Sequence, residues 1–329
     1  MKKKKPLLIV LTPVYNEAWI LRAFLKATSL WADYIIIADQ MSDDGSRELY
    51  AQFPKVKVID NPRKEMHQAA TRRLLFDEAK KIEGDKILFA LDADEFLSGN
   101  FVETEGWKTI LNSEQGDVFL FYWMLLSSDG TQYRVQINKP YYWAVHASDA
   151  VFEGSFPDNF IDEWRLPWPE KVDHEYVIED ISFLHFHDVN TKRQCNKTLF
   201  YQVQQYAHPE NKRGGVYFFR RYKAKPTYAY QPLPEGVYDY YKAHGVDLWE
   251  ELNLNDVGEH YIKVVQDKVE EIGAAALRKL DIWDEECLSK YGDPRRPIDK
   301  LIHGYLRKTQ KHCKNVIIRY TDKVLSWLY

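Results

Sequence analysis

The residues best placed to do chemistry lie in two short stretches, each directly after an apolar run. Leu88-Phe89-Ala90-Leu91 gives way to Asp92-Ala93-Asp94-Glu95, a pair of carboxylates at i and i+2 with a third beside them. Upstream, Leu7-Leu8-Ile9-Val10-Leu11 ends as abruptly in Thr12-Pro13-Val14-Tyr15-Asn16-Glu17. Continuous apolar runs of this length read as strands covered on both faces. If both belong to one parallel sheet, they deliver their polar residues to the same edge. Carboxylates gathered there can hold a divalent cation, and the cation can hold a diphosphate.

The elements needed to place them are legible up to about residue 98. After the first strand, Ile20, Leu21, Phe24, Leu25 and Thr28 recur at a helical period within Glu17–Ser29. Tyr34–Ala38 predicts a second strand, and Ser42-Asp43-Asp44-Gly45-Ser46 a turn into a short helix. Val56–Ile59 predicts a third strand ended by Asp60-Asn61-Pro62. Gln68–Lys81 predicts a helix with Ala69, Leu74, Leu75 and Ala79 on its covered side, and Ile87–Leu91 a fourth strand. This order predicts an α/β fold with a mostly parallel central sheet and helices on both faces.

Beyond it the pattern changes. Asp117–Leu126 and Gln132–Lys139 flank Ser127-Ser128-Asp129-Gly130-Thr131, a hairpin signal. Residues 150–175, rich in Pro, Trp and acids, read as a long ordered loop. Ile181–His187 predicts a strand, and Thr191–Ala207 and most of 236–290 predict helices. The division expected is a donor-binding half over 1–100, an acceptor-binding half of the same domain over 101–235, and a helical C-terminal region over 236–329.

The chain has 329 residues and a formal net charge of −4, so no global basic field points to nucleic acid. Aromatic residues make up 15%, many of them after residue 120. They suit either ordinary packing or a cleft in which sugar rings stack on flat apolar faces. Cys195, Cys287 and Cys313 match no metal or redox spacing, which implies a reduced, cytoplasmic chain. The lysine-rich start is followed by an apolar run only a strand long, with no small-residue cleavage site, so no leader is expected. No stretch is long enough to span a bilayer.

From Pro297 to Tyr329 seven Lys and Arg stand against Asp299 and Asp322, with apolar residues between them. This predicts a basic amphipathic helix. It either lies on an anionic membrane face, which would make the chain peripheral at the inner surface, or packs on the body with solvated lysines.

Thr12–Glu17, Ala38–Ser46 and Asp92-Ala93-Asp94-Glu95, in this order and each at the end of a predicted strand, resemble the family 2 glycosyltransferases of GT-A fold. The resemblance is good over roughly the first hundred residues and weaker to about residue 205. It implies that Pro13, Tyr15 and Glu17, with Asp39 and Gln40, hold nucleobase and ribose. Gln40 departs from the family, many of whose members carry Asp there. Uridine is favoured on this reading, since the Gln40 amide oxygen can still accept a uracil N–H. Arg72, in Gln68–Arg73, matches an arginine that approaches the diphosphate. Asp92 and Asp94 match the metal motif: Asp94 ligates Mg²⁺ or Mn²⁺, and Asp92 contacts ribose or the ion. Leu184-His185-Phe186 resembles the segment that supplies a histidine ligand in members acting on bacterial surface polysaccharides. His185 is the first choice and His187 the second.

The family generally inverts at the anomeric carbon and needs a carboxylate base. Glu163 is the first candidate and Asp162 the second, with Asp158 and the pair Glu179-Asp180 as contenders. The resulting expectation is a metal-dependent inverting hexosyltransferase that takes a nucleotide-sugar donor, UDP-linked, and a saccharide or lipid-linked acceptor. The alternative is a non-catalytic glycan-binding or scaffold protein of the same fold. A phosphohydrolase with Asp92 as nucleophile is disfavoured by Glu95 and by the motif's distance from the chain start. A nucleotidyltransferase is disfavoured by the lack of a glycine-rich basic loop after the first strand.

Overall fold

The structure is a computed structural model that describes residues 5–63, 67–135, 139–154, 165–167, 172, 174–209, 211–223 and 229–329. The chain forms two compact units, one of Met1–Asn190 with Tyr230–Asn255, the other of Thr191–Ala229 with Asp256–Tyr329.

The first unit opens with β1 (Leu7–Val14), α1 (Ala18–Ser29), β2 (Tyr34–Asp39), α2 (Ser46–Tyr50), β3 (Val56–Asp60), α3 (Gln68–Lys80) and β4 (Lys86–Ala90). β3, β2, β1 and β4 are neighbours in that order and pair in parallel, as the alternating pattern predicts. Alternate residues feed two cores. Leu8, Val10, Ile35 and Ile37 meet Ile20, Phe24 and Leu25 of α1 on one face. Ile9, Leu11 and Ile36 meet Leu75, Phe76 and Ala79 of α3 on the other. Each of these Val, Leu, Ile and Phe side chains stabilises the fold by about 1.5–3 kcal/mol on burial. Leu74, expected on the covered side of α3, is only half-buried, and Phe76 fills the core in its place.

Register decides what meets at the sheet edge. Val14 pairs with Asp39, and Leu11 pairs with Ala90, so the loops after β1, β2 and β4 all leave from one side.

The rest of this unit departs more from expectation. Its elements are β5 (Glu95–Leu97), α4 (Glu105–Asn112), β6 (Val118–Leu126), β7 (Gln132–Arg134), β8 (Tyr141–His146), α5 (Asp149–Glu153), β9 (Glu175–His185), β10 (Gln231–Pro232) and α8 (Asp239–Ala243). β8 joins β4 antiparallel and β6 follows it, which turns a parallel sheet into a mixed one. β9 begins six residues before the expected Ile181 and ends at His185. Its first half alternates exposed and covered residues along β6, so it shows no apolar run. The helical expectation for 236–290 fails between His244 and Gly258. There Asp247, Asn253 and Asp256 accept bonds from backbone N–H groups two residues on and hold turns instead.

The second unit is helical: α6 (Thr191–Ala207), α7 (Gly215–Tyr222), α9 (Glu259–Ile272), α10 (Glu285–Tyr291), α11 (Pro297–Lys308) and α12 (Val316–Leu328). The expected C-terminal helix is thus two, with Asn315 capping the second through bonds from the Ile317 and Ile318 N–H groups. Val216, Phe219, Ile302, Leu306 and Tyr329 form a small core.

Beside that core, buried Asp281 accepts from Arg307 Nε at 3.0 Å and lies 3.7 Å from His303. Burial alone would raise the Asp281 carboxyl, but the Arg307 hydrogen bond and the Lys223 charge outweigh it and hold it below its ordinary value. Asp281→Asn is expected to cost about 1.5–3 kcal/mol, the worth of a hydrogen bond to a charged group. A depressed carboxylate stabilises above its unfolded pKa, and that contribution is lost as pH falls through the folded value. The difference from wild type in urea unfolding should therefore stay flat from about pH 8 to 5 and shrink only below about pH 4. A difference that collapses between pH 7 and 6 would assign the effect to His303.

Candidate functional site

The loops after β1 and β2 are tied to each other before any ligand is considered. Asn16 lies in the left-handed region at φ 54°, uncommon for a residue other than glycine. Its amide explains the tolerance: Nδ2 donates to Asp43 Oδ1 and Oδ1 accepts from Asp43 N, both at 2.8 Å. Its backbone N donates to Ser42 Oγ at 2.9 Å. Met41, at φ 55°, is the second such residue and lies at the same edge. Asp44 accepts from Ala18 N and Ser46 N, and Gly45 turns the chain at φ 97° into α2.

Two acids expected at the nucleoside are engaged with protein groups. Asp39 is fully buried and accepts from Ser42 N (2.9 Å), Arg47 (2.7 Å) and Tyr50 Oη (2.6 Å). Glu17 accepts from the Trp19 indole at 2.7 Å. Gln40 remains half-buried, its Nε2 donating to the Arg63 carbonyl. Pro13, next to last in β1, pairs with Ala38, and Tyr15 is half-buried with its phenol pushed up by burial and by the charges of Asp43 and Asp44.

The acids after β4 sit in a charged knot. Asp92 takes Arg72 Nη2 on one oxygen at 2.9 Å and Arg165 Nη2 on the other at 2.8 Å. Arg165 also donates to Glu95 through both terminal nitrogens, one bond at 2.9 Å, and lies 5.2–5.6 Å from the rings of Trp143 and Trp123. Glu95 is fully buried and accepts in addition from Asp92 N at 2.9 Å. Burial would raise Asp92, but the two guanidinium groups hold it below its ordinary value. For Glu95 burial wins and its carboxyl is raised.

Antiparallel pairing of β5 with β9 sets Glu95 directly opposite His185. This brings His185 Nε2 to 3.3 Å from Asp94 Oδ2, while the imidazole stacks on Trp123 with ring centroids 4.4 Å apart and planes 4° from parallel. Burial disfavours the charged ring, but the Asp94 carboxylate more than compensates and raises the His185 pKa. His187 is turned to Asp188 at 2.8 Å, which Arg134 also holds, and burial lowers its pKa.

Among the described residues no cluster of three or more ligating side chains would hold an ion by itself. Asp94 and His185 are an oxygen–nitrogen pair that suits Mn²⁺ or Mg²⁺. Asp92 is less free for that role, because both of its oxygens are committed to arginines. The buried side-chain atoms without a hydrogen-bond partner among the described residues include His185 Nδ1 and Arg72 Nη1. The second is a cationic donor beside Asp92, where an anionic ligand oxygen could bind it.

Glu163, Asp162 and Asp158 lie outside the described residues. Glu179 and Asp180 are exposed in the first half of β9. Asp180 accepts from Gly106 N at the start of α4, five residues and roughly 16 Å of strand from His185. They are not part of this site. Sequence reasoning missed Arg165, which sits in an aperiodic Pro/Trp-rich stretch and carries no local signal of its role. It also missed Trp123, an aromatic among many.

A parallel βαβ half that presents acids at the carboxyl ends of its strands, continued by a mixed half carrying a histidine strand, is a GT-A fold. Residues 9–104, which include Asp39, Arg72, Asp92 and Asp94, match the family model of glycosyl transferase family 2. Among solved structures the chain is similar to S. aureus TarS residues 1–349, at 12% identity over 91% of each chain and a TM-score of 0.41. It is also similar to glucosyl-3-phosphoglycerate synthase from Mycobacterium tuberculosis, determined with Mn²⁺, UDP and phosphoglyceric acid. That match has 13% identity over 70% of this chain and 87% of the other, with a TM-score of 0.37. No curated protein matches the sequence.

Proposed function

We propose that the chain is an inverting, metal-dependent hexosyltransferase using a UDP-linked sugar and a saccharide or lipid-linked acceptor, in bacterial surface polysaccharide synthesis. The observation that carries this reading is the meeting of Asp94 and His185 at 3.3 Å, beside Asp92 and the unpartnered Arg72 Nη1.

Asp94 and His185 would hold the ion, with His187 in reserve behind Asp188. Held by those two residues, a divalent cation would supply positive charge against the departing diphosphate. Arg72 presents its free N–H to a diphosphate oxygen, and Asp92, fixed by two arginines, orients the donor's ribose. Pro13, Tyr15 and Gln40 line the nucleoside end, with Glu17 and Asp39 bracing their loops from behind. The acceptor hydroxyl's proton goes to Glu163 or Asp162. Cys195, Cys287 and Cys313 are all free thiols, which supports a reducing, cytoplasmic setting.

Thermal unfolding with UDP, GDP, CDP and ADP, each with and without Mn²⁺, tests the donor site. A ligand at a hundred times its dissociation constant adds about 2.7 kcal/mol, or several degrees. UDP with Mn²⁺ is expected to give the largest shift. Flat curves for all four nucleotides would remove the donor-site reading. UDP-sugar bound but neither hydrolysed nor transferred would favour a glycan-binding protein of this fold.

A further inference from the structure

α12 has two apolar faces and uses only one of them within its unit. On the inner side Leu325 packs against the small core, and Asp322 receives Arg220 Nε and Nη2 at 2.7 and 2.9 Å. On the outer side Val316, Ile317, Tyr320 and Trp327 are 71–81% exposed, and Val324 is 41% exposed. At 3.6 residues per turn these five side chains fall within an arc of about 100°. Exposure this high on five adjacent large apolar residues is not ordinary surface scatter.

The charge beside the stripe has one sign. Arg319 and Lys323 occupy the next sector of the helix and are exposed. With Lys212, Arg213 and Arg220 they line an open cavity of about 780 Å³. Lys311 and Lys314 precede the helix, and Asp322, the only acid in 311–329, is spent on Arg220. A second copy of the chain is a poor partner for this face. Two-fold pairing would set the Arg319/Lys323 edge near its own copy, with no acid to meet it. No helix of the described residues is long and apolar enough to cross a membrane, so the stripe is suited to lying in an interface. Tyr320 and Trp327, each apolar with a polar tip, suit the headgroup level.

We propose that α12 is an in-plane membrane anchor. Its stripe enters the headgroup–acyl boundary of an anionic bilayer, and Arg319, Lys323 and the basic cavity meet the lipid phosphates. The apolar area and the basic edge together supply the two signals that stable peripheral binding requires.

The test is flotation of the full chain with vesicles of phosphatidylcholine, alone or mixed with phosphatidylglycerol, alongside sedimentation velocity without lipid. Binding is expected only to the mixed vesicles and should weaken at high salt. Arg319→Ala with Lys323→Ala should weaken it roughly thirty-fold. Ile317→Asp with Trp327→Asp should abolish it, with unchanged melting temperature and an unchanged nucleotide shift, since these side chains face solvent. Absence of binding to the mixed vesicles would overturn the proposal. So would equal binding to both vesicle types, or a lipid-free dimer dispersed by Ile317→Asp with Trp327→Asp. The nucleotide panel reads the donor site independently, so failure here leaves the transferase reading standing.

Discussion

Asp94→Asn is expected to lower sugar transfer about 100- to 1,000-fold, the usual loss when one group that stabilises developing charge is removed. The substitution keeps the volume of a nearly buried side chain and removes only its charge, so the melting temperature should move little. His185 loses its ionic partner at the same time, and with it the cause of its raised pKa. The expected signature is a collapse of UDP release from UDP-sugar, together with loss of the Mn²⁺-dependent part of the UDP thermal shift. A variant that keeps full turnover would take Asp94 out of the chemistry. The Asp94/His185 pair would then be a structural ion pair.

Arg165→Leu is expected to have the largest effect on stability. Glu95 is fully buried and its carboxylate is matched by the Arg165 guanidinium, which also holds Asp92. Removing one partner of such a pair typically costs about 3–5 kcal/mol, because the other charge stays buried and unpaired. In thermal unfolding this is a fall on the order of 10 °C. Adding Glu95→Gln to Arg165→Leu should recover part of the loss, since a neutral amide is cheaper to bury. The pH dependence has a definite sign. The Glu95 carboxyl is already raised, and without Arg165 it rises further. The folded variant then binds a proton that the unfolded chain does not, so its deficit should shrink as pH falls from 8 toward 5. A deficit under 1 kcal/mol that does not vary with pH would mean that Arg165 is not the partner that holds Glu95.

Much of the site was legible because its parts are local. An apolar run that stops at a polar residue is a strand end wherever the strand sits in the sheet. The parallel order of β1 to β4 follows from alternation with helices, which forces crossover connections. Asp39, Asp92 and Asp94 could thus be assigned to one edge before any contact was known. Local signals fail where burial alternates, as in the first half of β9, and where single residues act through long-range contacts.

The βαβ order, the strand ends that carry the acids, the helix over Thr191–Ala207 and the basic, amphipathic character of the C-terminal segment are all set locally. Each of these is written in periodicity or composition over a few turns of chain. Long-range packing sets His185 against Asp94, because that depends on the register of β5 against β9, strands far apart in sequence. It also decided that Arg165 closes the knot at Asp92 and Glu95, and which face of α12 the protein covers. Register, the reach of one charged side chain and the choice between two apolar faces are all settled by packing between distant segments, which leaves no periodic trace in either segment.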